Sequence, residues 1–233
     1  MITLGIETAT DVCAVAVLRG DAVLASASVF VPRSHATRLA LLVQEALGHA
    51  RLVPADLGLI AVSAGPGSYT GLRIGASLAR GLCLATGAGL VGVGTLEALA
   101  AEAARFAEID AALLVVLPSR RGEVYLGCHT GPVQIEAQAV ALGDLPALVA
   151  AACPTGRLAV AGAAAASVCE ALRAAGREVR LLDVRPSAER VARLGLALHA
   201  SGAAPDLFEP TYIGTFATPP APRADGILAG PTQ

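Results

Sequence analysis

The segment Ala64–Gly89, AGPGSYTGLRIGASLARGLCLATGAG, decides how the rest of the chain is interpreted. It opens with a glycine–proline turn and continues in a helical pattern whose small residues recur every four positions, at Gly71, Gly75 and Ala79. A glycine-rich turn at a helix N-terminus can cradle a phosphate, because free backbone N–H groups converge there. A stripe of small residues can instead admit a second backbone at close range, which is typical of a packing or dimer surface. The segment is therefore either a ligand loop or a protein interface.

The composition excludes several kinds of site. All 17 basic residues are arginines, so the chain has no side-chain amine for a Walker-type phosphate loop or for Schiff-base chemistry. A net charge of −2 argues against an autonomous nucleic-acid binder, which usually presents a basic face. The five cysteines never form a C-x-x-C pair, which indicates reduced thiols rather than a zinc site or a disulfide framework. Because the chain opens on a strand pattern and its apolar runs are short and broken by glycine, we expect a cytoplasmic protein without signal peptide or membrane span.

Hydrophobic periodicity predicts an alternating α/β order in the first half of the chain. The predicted elements are strands at 2–7, 12–18 and 22–31, a helix capped by Ser34, a strand at 58–64, a helix from Ser68, a strand at 90–94 and a helix at 95–106. Tight polar turns join the first three strands as a meander. The uninterrupted apolar strand at 58–64 is typical of a buried parallel strand.

The same opening of a strand, a turn and antiparallel strands recurs in the second half. The predicted elements are strands at 111–117, 124–129 and 132–140, a helix from Asp144 to about Ala152, a strand at 158–161, a helix at 163–176, a strand at 179–184 and a helix at 187–200. This repetition predicts an α/β fold of the duplicated, actin-like (ribonuclease-H-like) two-domain class. The predicted divisions are a first domain over 1–106, a second and smaller domain over 107–214, and a mobile proline-rich tail over 215–233. The last helix has the alternative of packing back on the first domain.

Two hairpin turns are candidates for nucleotide contacts, since in such folds the first turn of each half reaches the phosphates of a nucleotide held between the domains. Glu7, Thr8 and Thr10 belong to the first turn. Arg120 and Arg121 open the second, where they could grip a phosphate or a carboxylate. The alternatives are a hairpin whose hydroxyls satisfy the backbone at the first turn and an internally paired charged turn at the second.

No pattern in the chain indicates a catalytic or metal centre. Gly65–Ser68 has the shape of a phosphate loop, but no lysine follows, and a strand-to-helix turn capped by Ser68 or Thr70 also explains it. Ser68 does not stand in a G-x-S-x-G nucleophile elbow. The histidines stand outside any metal-ligand spacing; they are His35, His49, His129 and His199. We therefore expect no catalytic residue and no bound metal in this chain.

Several motifs taken together resemble the TsaB (YeaZ) family. They are IETAT at 6–10, Ser34-His35 at the start of the first helix, AVSAGPGSYTGLRIG at 61–75, VGVGTLEALA at 91–100 and RRGEVY at 120–125. The resemblance is strong over about the first 130 residues and holds only in outline beyond them. The GPGSYTGLRIG segment is far more specific than a lone glycine pattern.

This resemblance implies an accessory subunit with an actin-like fold in the bacterial synthesis of N6-threonylcarbamoyladenosine, at position 37 of tRNAs that read codons beginning with A. It implies no catalysis by this chain on its own. It implies pairing with a catalytic paralogue, TsaD, and with the ATPase TsaE, and contact with tRNA only through their complex. ATP and metal are then expected on the partner subunits, and no cofactor on this chain.

The chain departs from the pattern of its relatives at positions that carry chemistry. In the resemblance, Thr95 and Leu99 stand where the catalytic paralogue has the two histidines that bind its metal, and neither side chain offers a nitrogen ligand. Glu7 stands where the family usually has aspartate, and Pro118 stands where the second turn usually begins with aspartate. These departures weaken a nucleotide role, because carboxylates that would hold a magnesium–phosphate group are lengthened or lost.

The leading hypothesis is therefore a scaffold that binds its paralogue through the helices of the first domain. The interface residues predicted for it are His35, Leu39, Leu42, Gly71, Leu72, Gly75, Ala79 and Leu82. In isolation the same surface is expected to form an isologous homodimer. Two rivals stay open. One is an actin-fold ATP-dependent kinase or metallopeptidase-like hydrolase, and the other is a stand-alone nucleic-acid binder.

Overall fold

The computed structural model describes residues 1–32, 34–108, 111–128 and 135–202, and these form two five-stranded sheets flanked by helices. The tail predicted at 215–233 and His129 lie outside the described residues. Within the described ranges, none of the helices is both long enough and apolar enough to cross a membrane.

The first sheet is built from the first half of the chain. In chain order its elements are β1 Ile2–Glu7, β2 Cys13–Arg19, β3 Ala22–Val29, α1 His35–His49, a short 3-10 helix Pro54–Asp56, β4 Leu59–Gly65, α2 Tyr69–Thr86, β5 Gly89–Gly94 and α3 Thr95–Ala103. The strand order is β3-β2-β1-β4-β5. The first three strands pair antiparallel, whereas β4 runs parallel to both β1 and β5. The prediction of a buried parallel strand at 58–64 is thus confirmed.

The second sheet repeats this plan. Its elements are β6 Ala112–Pro118, β7 Glu123–Cys128, β8 Ile135–Ala141, α4 Leu145–Ala152, β9 Leu158–Ala161, α5 Ala165–Ala174, β10 Val179–Leu182 and α6 Ala188–Ala200. The strand order is β10-β9-β6-β7-β8. Read from the other end, β8-β7-β6-β9-β10 is the order of the first sheet with each strand replaced by its counterpart. The predicted duplicated, actin-like α/β fold is therefore confirmed by topology, where internal sequence similarity was too weak to establish it.

The last helix of each half crosses to the other half. Leu96 and Leu99 of α3 pack with Leu113 in the core of the second sheet. Reciprocally, Val191 of α6 packs with Ala61 under the first sheet. The Arg190 guanidinium on α6 lies 3.0 Å from the Glu102 carboxylate on α3, so the two crossing helices are also joined by a half-buried ion pair. This exchange couples the halves into one structure.

Helix α6 approaches the first sheet at glycine positions. A Cβ atom on Gly195 would overlap the Ala61 side chain, and a Cβ on Gly5 would lie 2.8 Å from the Ala192 side chain and overlap the Ala188 carbonyl oxygen. An alanine methyl group or a carbonyl oxygen can approach the opposite backbone this closely only where that backbone carries no side chain. The glycines therefore set the depth at which α6 sits in the core.

Helix boundaries follow local chemistry, with small differences from the predictions. The Ser68 hydroxyl accepts a hydrogen bond of 3.2 Å from the Gly71 amide at the start of α2, as predicted. Gly87 ends that helix with a φ of +75°, a left-handed conformation that glycine adopts without steric cost. Ser34 does precede α1, but its hydroxyl donates to the Val31 carbonyl instead of capping the helix. Helix α3 ends at Ala103, earlier than predicted.

The glycine contact between α6 and the sheet makes a prediction about stability. We expect Gly195→Ala to lower the free energy of unfolding by roughly 1–3 kcal/mol, because the added methyl group has no space in the core. The matched control is Gly81→Ala on the exposed side of α2, where a Cβ meets nothing within 4 Å. That substitution should raise stability by up to about 1 kcal/mol through helix propensity alone. Urea unfolding followed by circular dichroism measures the free energy of unfolding of both variants. A change of the same sign in both would contradict the depth at which α6 sits in the core.

Candidate functional site

The glycines of the GPGSYTG segment hold the first hairpin turn inside the chain. A Cβ on Gly71 would overlap the Thr8 carbonyl oxygen, and a Cβ on Gly75 would overlap the Thr8 hydroxyl. One turn earlier, Gly67 lies against Ala9, whose carbonyl accepts a 2.7 Å hydrogen bond from the Ser68 amide. The loop that resembles a phosphate cradle is therefore already filled by backbone of the same chain.

This packing corrects the predicted interface residues. Gly71 and Gly75 are buried against Thr8, so they cannot form the contact surface for a second protein in this conformation. Leu39, Leu42, Leu72 and Ala79 are likewise core side chains. The physical reason is the rotation of the two helices, whose predicted stripes face the first sheet rather than solvent.

Two further predicted interface residues differ in exposure. His35 is buried, and its Nε2 atom lies within hydrogen-bond distance, 3.2 Å, of the Val12 carbonyl oxygen. Leu82 is half-buried and packs at the edge of the first core, so it alone of the predicted set keeps a substantially accessible side chain. The histidine therefore ties α1 to the end of the first hairpin turn.

A second stripe of small residues, which the sequence interpretation missed, faces outward from α2. Ser77, Gly81 and Ala85 recur every four positions on the exposed side of the helix. The Leu84 side chain beside them is 89% exposed, and Leu41 on α1 is 49% exposed. We name these five residues the outer helix face. The sequence contained the signal, since both stripes have the same spacing, but the spacing alone does not say which stripe faces inward.

The carboxyl group of Glu7 is fully buried at the end of β1. Its Oε1 atom accepts a 2.7 Å hydrogen bond from the Ala9 amide, while its Oε2 atom has no hydrogen-bond partner in the described protein. Burial raises the pKa of Glu7 from 4.5 to about 7, and interactions with the Ala9 amide and the Ser63 hydroxyl oppose this rise without cancelling it. A carboxyl in this position is enclosed by protein and does not face a cleft.

The remaining polar groups of the first turn form hydrogen bonds within the chain. The Ser63 hydroxyl on β4 accepts a 3.1 Å hydrogen bond from the Thr8 amide. The Thr10 hydroxyl accepts a 3.2 Å bond from the Val12 amide. The alternative of a hairpin whose hydroxyls satisfy the backbone is the one that this geometry favours.

The second hairpin turn is an exposed charged turn. The Arg120 Nε atom lies 2.7 Å from a Glu123 carboxylate oxygen, and this pairing lowers the pKa of Glu123 through the hydrogen bond from the arginine. Arg121 is exposed, and Gly122 completes the turn with a φ of +80°. This geometry matches the internally paired alternative for Arg120 and leaves Arg121 at the surface.

The resemblance places Thr95 and Leu99 where the catalytic paralogue has its metal-binding histidines, and both side chains are buried in the core of this chain. Thr95 is buried, and its hydroxyl accepts a 3.2 Å hydrogen bond from the Gly65 amide in the glycine–proline turn. Leu99 is buried and contacts the backbone region of Gly162 in the second half. Within the described ranges no three His, Cys, Asp or Glu side chains group closely enough to hold a metal ion.

The buried carboxyl of Glu7 makes stability depend on pH. Because its pKa is about 7 in the folded chain and near 4.5 when unfolded, its favourable contribution is full below pH 4.5 and is lost as the pH rises through 7. We expect the wild-type chain to lose roughly 3 kcal/mol of stability from this group between these limits. Glu7→Gln keeps an oxygen for the Ala9 amide and cannot ionise, so it should abolish that loss.

The control for this prediction is Glu45→Gln, because Glu45 is exposed on α1. The midpoints of urea unfolding of the Glu45→Gln variant should differ between pH 5 and pH 8 by as much as those of the wild type do. A Glu7→Gln variant with the same pH dependence as the wild type would show that the carboxyl is not buried as described.

Comparisons with known proteins agree with this geometry. The family model for tRNA N6-adenosine threonylcarbamoyltransferase (TsaD) matches residues 27–179, which is more than half of the chain. The TsaB protein of Bacillus subtilis, named as a tRNA threonylcarbamoyladenosine biosynthesis protein, is 36% identical over 129 residues, 55% of each chain. The chain thus spans about half the length of the curated relatives it matches.

Solved structures extend the similarity over most of the chain. YeaZ from Pseudomonas aeruginosa is similar with a TM-score of 0.76 and 25% identity, covering 91% of this chain and 99% of that one. The hexokinase of the ROK class from Thermus thermophilus is similar at 16% identity, with a TM-score of 0.50 and coverage of 86% and 100%, and this likeness concerns the fold alone. The chain belongs to the TsaB (YeaZ) family, within the wider group that the threonylcarbamoyltransferase model describes.

Proposed function

We propose that this chain is a non-catalytic scaffold that binds and activates a catalytic paralogue of the TsaD type. The complex would transfer the threonylcarbamoyl group to adenosine 37 of tRNAs that read codons beginning with A. The proposal rests on family membership together with one observation: the places that could have held chemistry are occupied by the core of the chain itself.

That observation concerns three separate positions. Thr8 fills the glycine cradle that a phosphate would need. The Glu7 carboxyl is enclosed, so it is removed from any metal–phosphate group. Thr95 bonds to a backbone amide where the resemblance places a metal histidine in the paralogue. A chain that uses all three for its own packing is better suited to support an active site on another subunit than to form one.

The outer helix face supports the choice of partner surface. Its small residues, Ser77, Gly81 and Ala85, leave room for a second helix to approach, while Leu84 offers apolar area that a folded single chain gains nothing from exposing. Helix α2 contains no acidic residue, and it exposes Arg73. A complementary partner helix would therefore carry small or apolar residues along its centre and carboxylates at its margin.

The finer expectations about assembly belong to the same proposal. We expect the ATPase TsaE to join the complex, tRNA to be contacted through the complex, and ATP and metal to be held by partner subunits. We also expect the isolated chain to form a homodimer and to reside in the cytoplasm. The outer helix face can hold only one occupant at a time, so a homodimer through it would compete with the paralogue.

An assay of ATP turnover by the purified chain directly tests the rival hypothesis of an actin-fold kinase or hydrolase. The purified chain alone should not turn over ATP if the scaffold proposal is right. Turnover by the isolated chain that is lost in Glu7→Gln would support the enzyme instead, since Glu7 is the carboxyl of the first hairpin turn.

The decisive experiment places a bulky side chain on the outer helix face. Gly81→Leu should abolish co-purification with the paralogue from the same organism, because the new side chain occupies the space through which the partner helix approaches. A Cβ at Gly81 meets nothing within 4 Å, so the isolated variant should fold and melt at or above the wild-type temperature.

The matched control is Ala166→Leu, an exposed position on α5 of the second half. It adds similar apolar volume to a helix outside the proposed surface and should leave the complex intact. Retention of the complex by Gly81→Leu would exclude the outer helix face as the interface. Loss in both variants would point to a nonspecific effect and would equally contradict the assignment.

A further inference from the structure

A guanidinium group is held in a defined position at the start of α2. The Arg73 Nη1 atom donates a 2.9 Å hydrogen bond to the Tyr69 hydroxyl oxygen, and the guanidinium carbon lies 5.3 Å from the centre of the Tyr69 ring. Both side chains are exposed. The ion pairs among the described residues do not include Arg73. An aromatic side chain therefore orders this guanidinium, and its further N–H donors point to an acceptor on another molecule.

This pair continues the small-residue stripe of the outer helix face. Tyr69 and Arg73 precede Ser77, Gly81 and Ala85 at the same spacing of four residues. Arg73 stands two helical turns before Gly81, which is roughly 12 Å along the axis at a rise of about 1.5 Å per residue. A partner helix that packs on the small residues can therefore reach a charged group at the N-terminal end of the same stripe.

The exposed charges of α1 and α2 are unevenly distributed along the two helices. Strands β3 and β4 run in the same direction, so the helices that follow them begin at the same end of the first sheet. Arg38 and Arg73 are exposed near that end. Glu45 and Arg80 are exposed about two turns further along, where one carboxylate and one guanidinium balance in charge. The excess positive charge of these residues thus lies where α1 and α2 begin.

This distribution favours an acidic partner over a second copy of the chain. Helix α2 contains no acidic residue, and the acidic residue of α1 is Glu45. Two copies that meet through these helices bring together more guanidinium groups than carboxylates, and like-charge repulsion opposes their association. A paralogue with a carboxylate opposite Arg73 avoids this repulsion and gains charge-assisted hydrogen bonds.

We propose that Arg73, held by Tyr69, binds a carboxylate of the catalytic paralogue and fixes the orientation in which the paralogue lies on the outer helix face. This inference rests on the proposed function, since it assigns the partner's chemistry at that same surface. Because Tyr69 already restricts the Arg73 side chain, less rotamer entropy is lost on pairing than for a freely rotating arginine. Arg73 lies at the margin of the contact, so it acts mainly on the rate and the salt dependence of association.

The chain offers a site-specific test because it contains no lysine. Arg73→Lys keeps the positive charge and introduces a single side-chain amine. A zero-length carbodiimide reagent joins an amine to a carboxylate where the two groups touch. With the purified paralogue, the variant should therefore form an amide crosslink from position 73 to an aspartate or glutamate of the paralogue. Peptide mass spectrometry identifies both positions.

The matched control for the crosslink is Arg19→Lys. Arg19 is exposed at the end of β2, which runs antiparallel to β1 and ends at the opposite end of the first sheet from the start of α2. This variant introduces the same single amine and should give no crosslink from position 19 to the paralogue.

Charge reversal measures how much Arg73 contributes to the complex. Arg73→Glu should raise the dissociation constant about tenfold, chiefly by slowing association, and should remove the decrease of the association rate with added salt. Arg19→Glu makes the same change in net charge and should leave both quantities as in the wild type. Tyr69→Phe removes the hydroxyl that accepts the Arg73 hydrogen bond and should raise the dissociation constant about threefold. Biolayer interferometry at low and high salt gives these values, and thermal melts check folding.

Each of the following results would overturn the proposal. One is a crosslink to the paralogue that is no more frequent from position 73 than from position 19. Another is a dissociation constant that Arg73→Glu leaves unchanged. A third is an intact complex whose affinity for tRNA falls in Arg73→Glu, which would assign the guanidinium to a phosphate. Failure of the proposed function is seen separately, because Gly81→Leu would then leave the complex intact.

Discussion

The close approach of the first hairpin turn to α2 is the contact on which the rest of the first half depends. The backbone of Thr8 lies where a Cβ would stand on Gly71, and its hydroxyl lies where one would stand on Gly75. Only two glycines one helical turn apart permit this depth. Once they face inward, the rotation of α2 is fixed, and Ser77, Gly81 and Ala85 must face outward. The inner contact therefore determines which side of α2 is exposed to solvent.

The same contact fills the space in which a loop of this shape could hold a phosphate. Backbone amides at a helix N-terminus attract anions only when the space before them is open. In this chain the Ala9 carbonyl oxygen accepts a hydrogen bond from the Ser68 amide, and the Ser68 hydroxyl accepts one from the Gly71 amide. Enclosure of the turn also removes water from Glu7, which is the cause of its raised pKa. The filled turn and the raised pKa of Glu7 are thus two results of one packing arrangement.

The sequence was sufficient for the order of elements, because strand and helix periods alternate clearly and the turns fall at Gly, Pro and Asp. It was not sufficient for the rotation of α2, since two stripes of small residues share one spacing and only the tertiary contact with Thr8 separates them. The sequence analysis missed the crossing of α3 to the other sheet and left the crossing of α6 as an alternative. The reason is related: an amphipathic pattern indicates that one face of a helix is buried, but it does not indicate which of two sheets buries that face. The burial of Glu7 could not be predicted from the sequence, because a charged residue at the end of a strand is normally exposed to solvent.

The internal duplication lets one half serve as a reference for the other. Helix α5 holds the place of α2 in the second half, and its exposed side carries Glu170 and Arg173 in place of an apolar leucine. Strand β8 holds the place of β3 and carries an exposed glutamate. Both differences have the same direction: the second half exposes a carboxylate on each of these elements, whereas α2 and β3 of the first half carry no acidic residue. Because fold and topology are common to the halves, the contrast reflects what each surface must meet. On the proposed function, the outer helix face is the surface of the first half that meets the catalytic paralogue, and α5 in the second half differs from it by carrying a carboxylate.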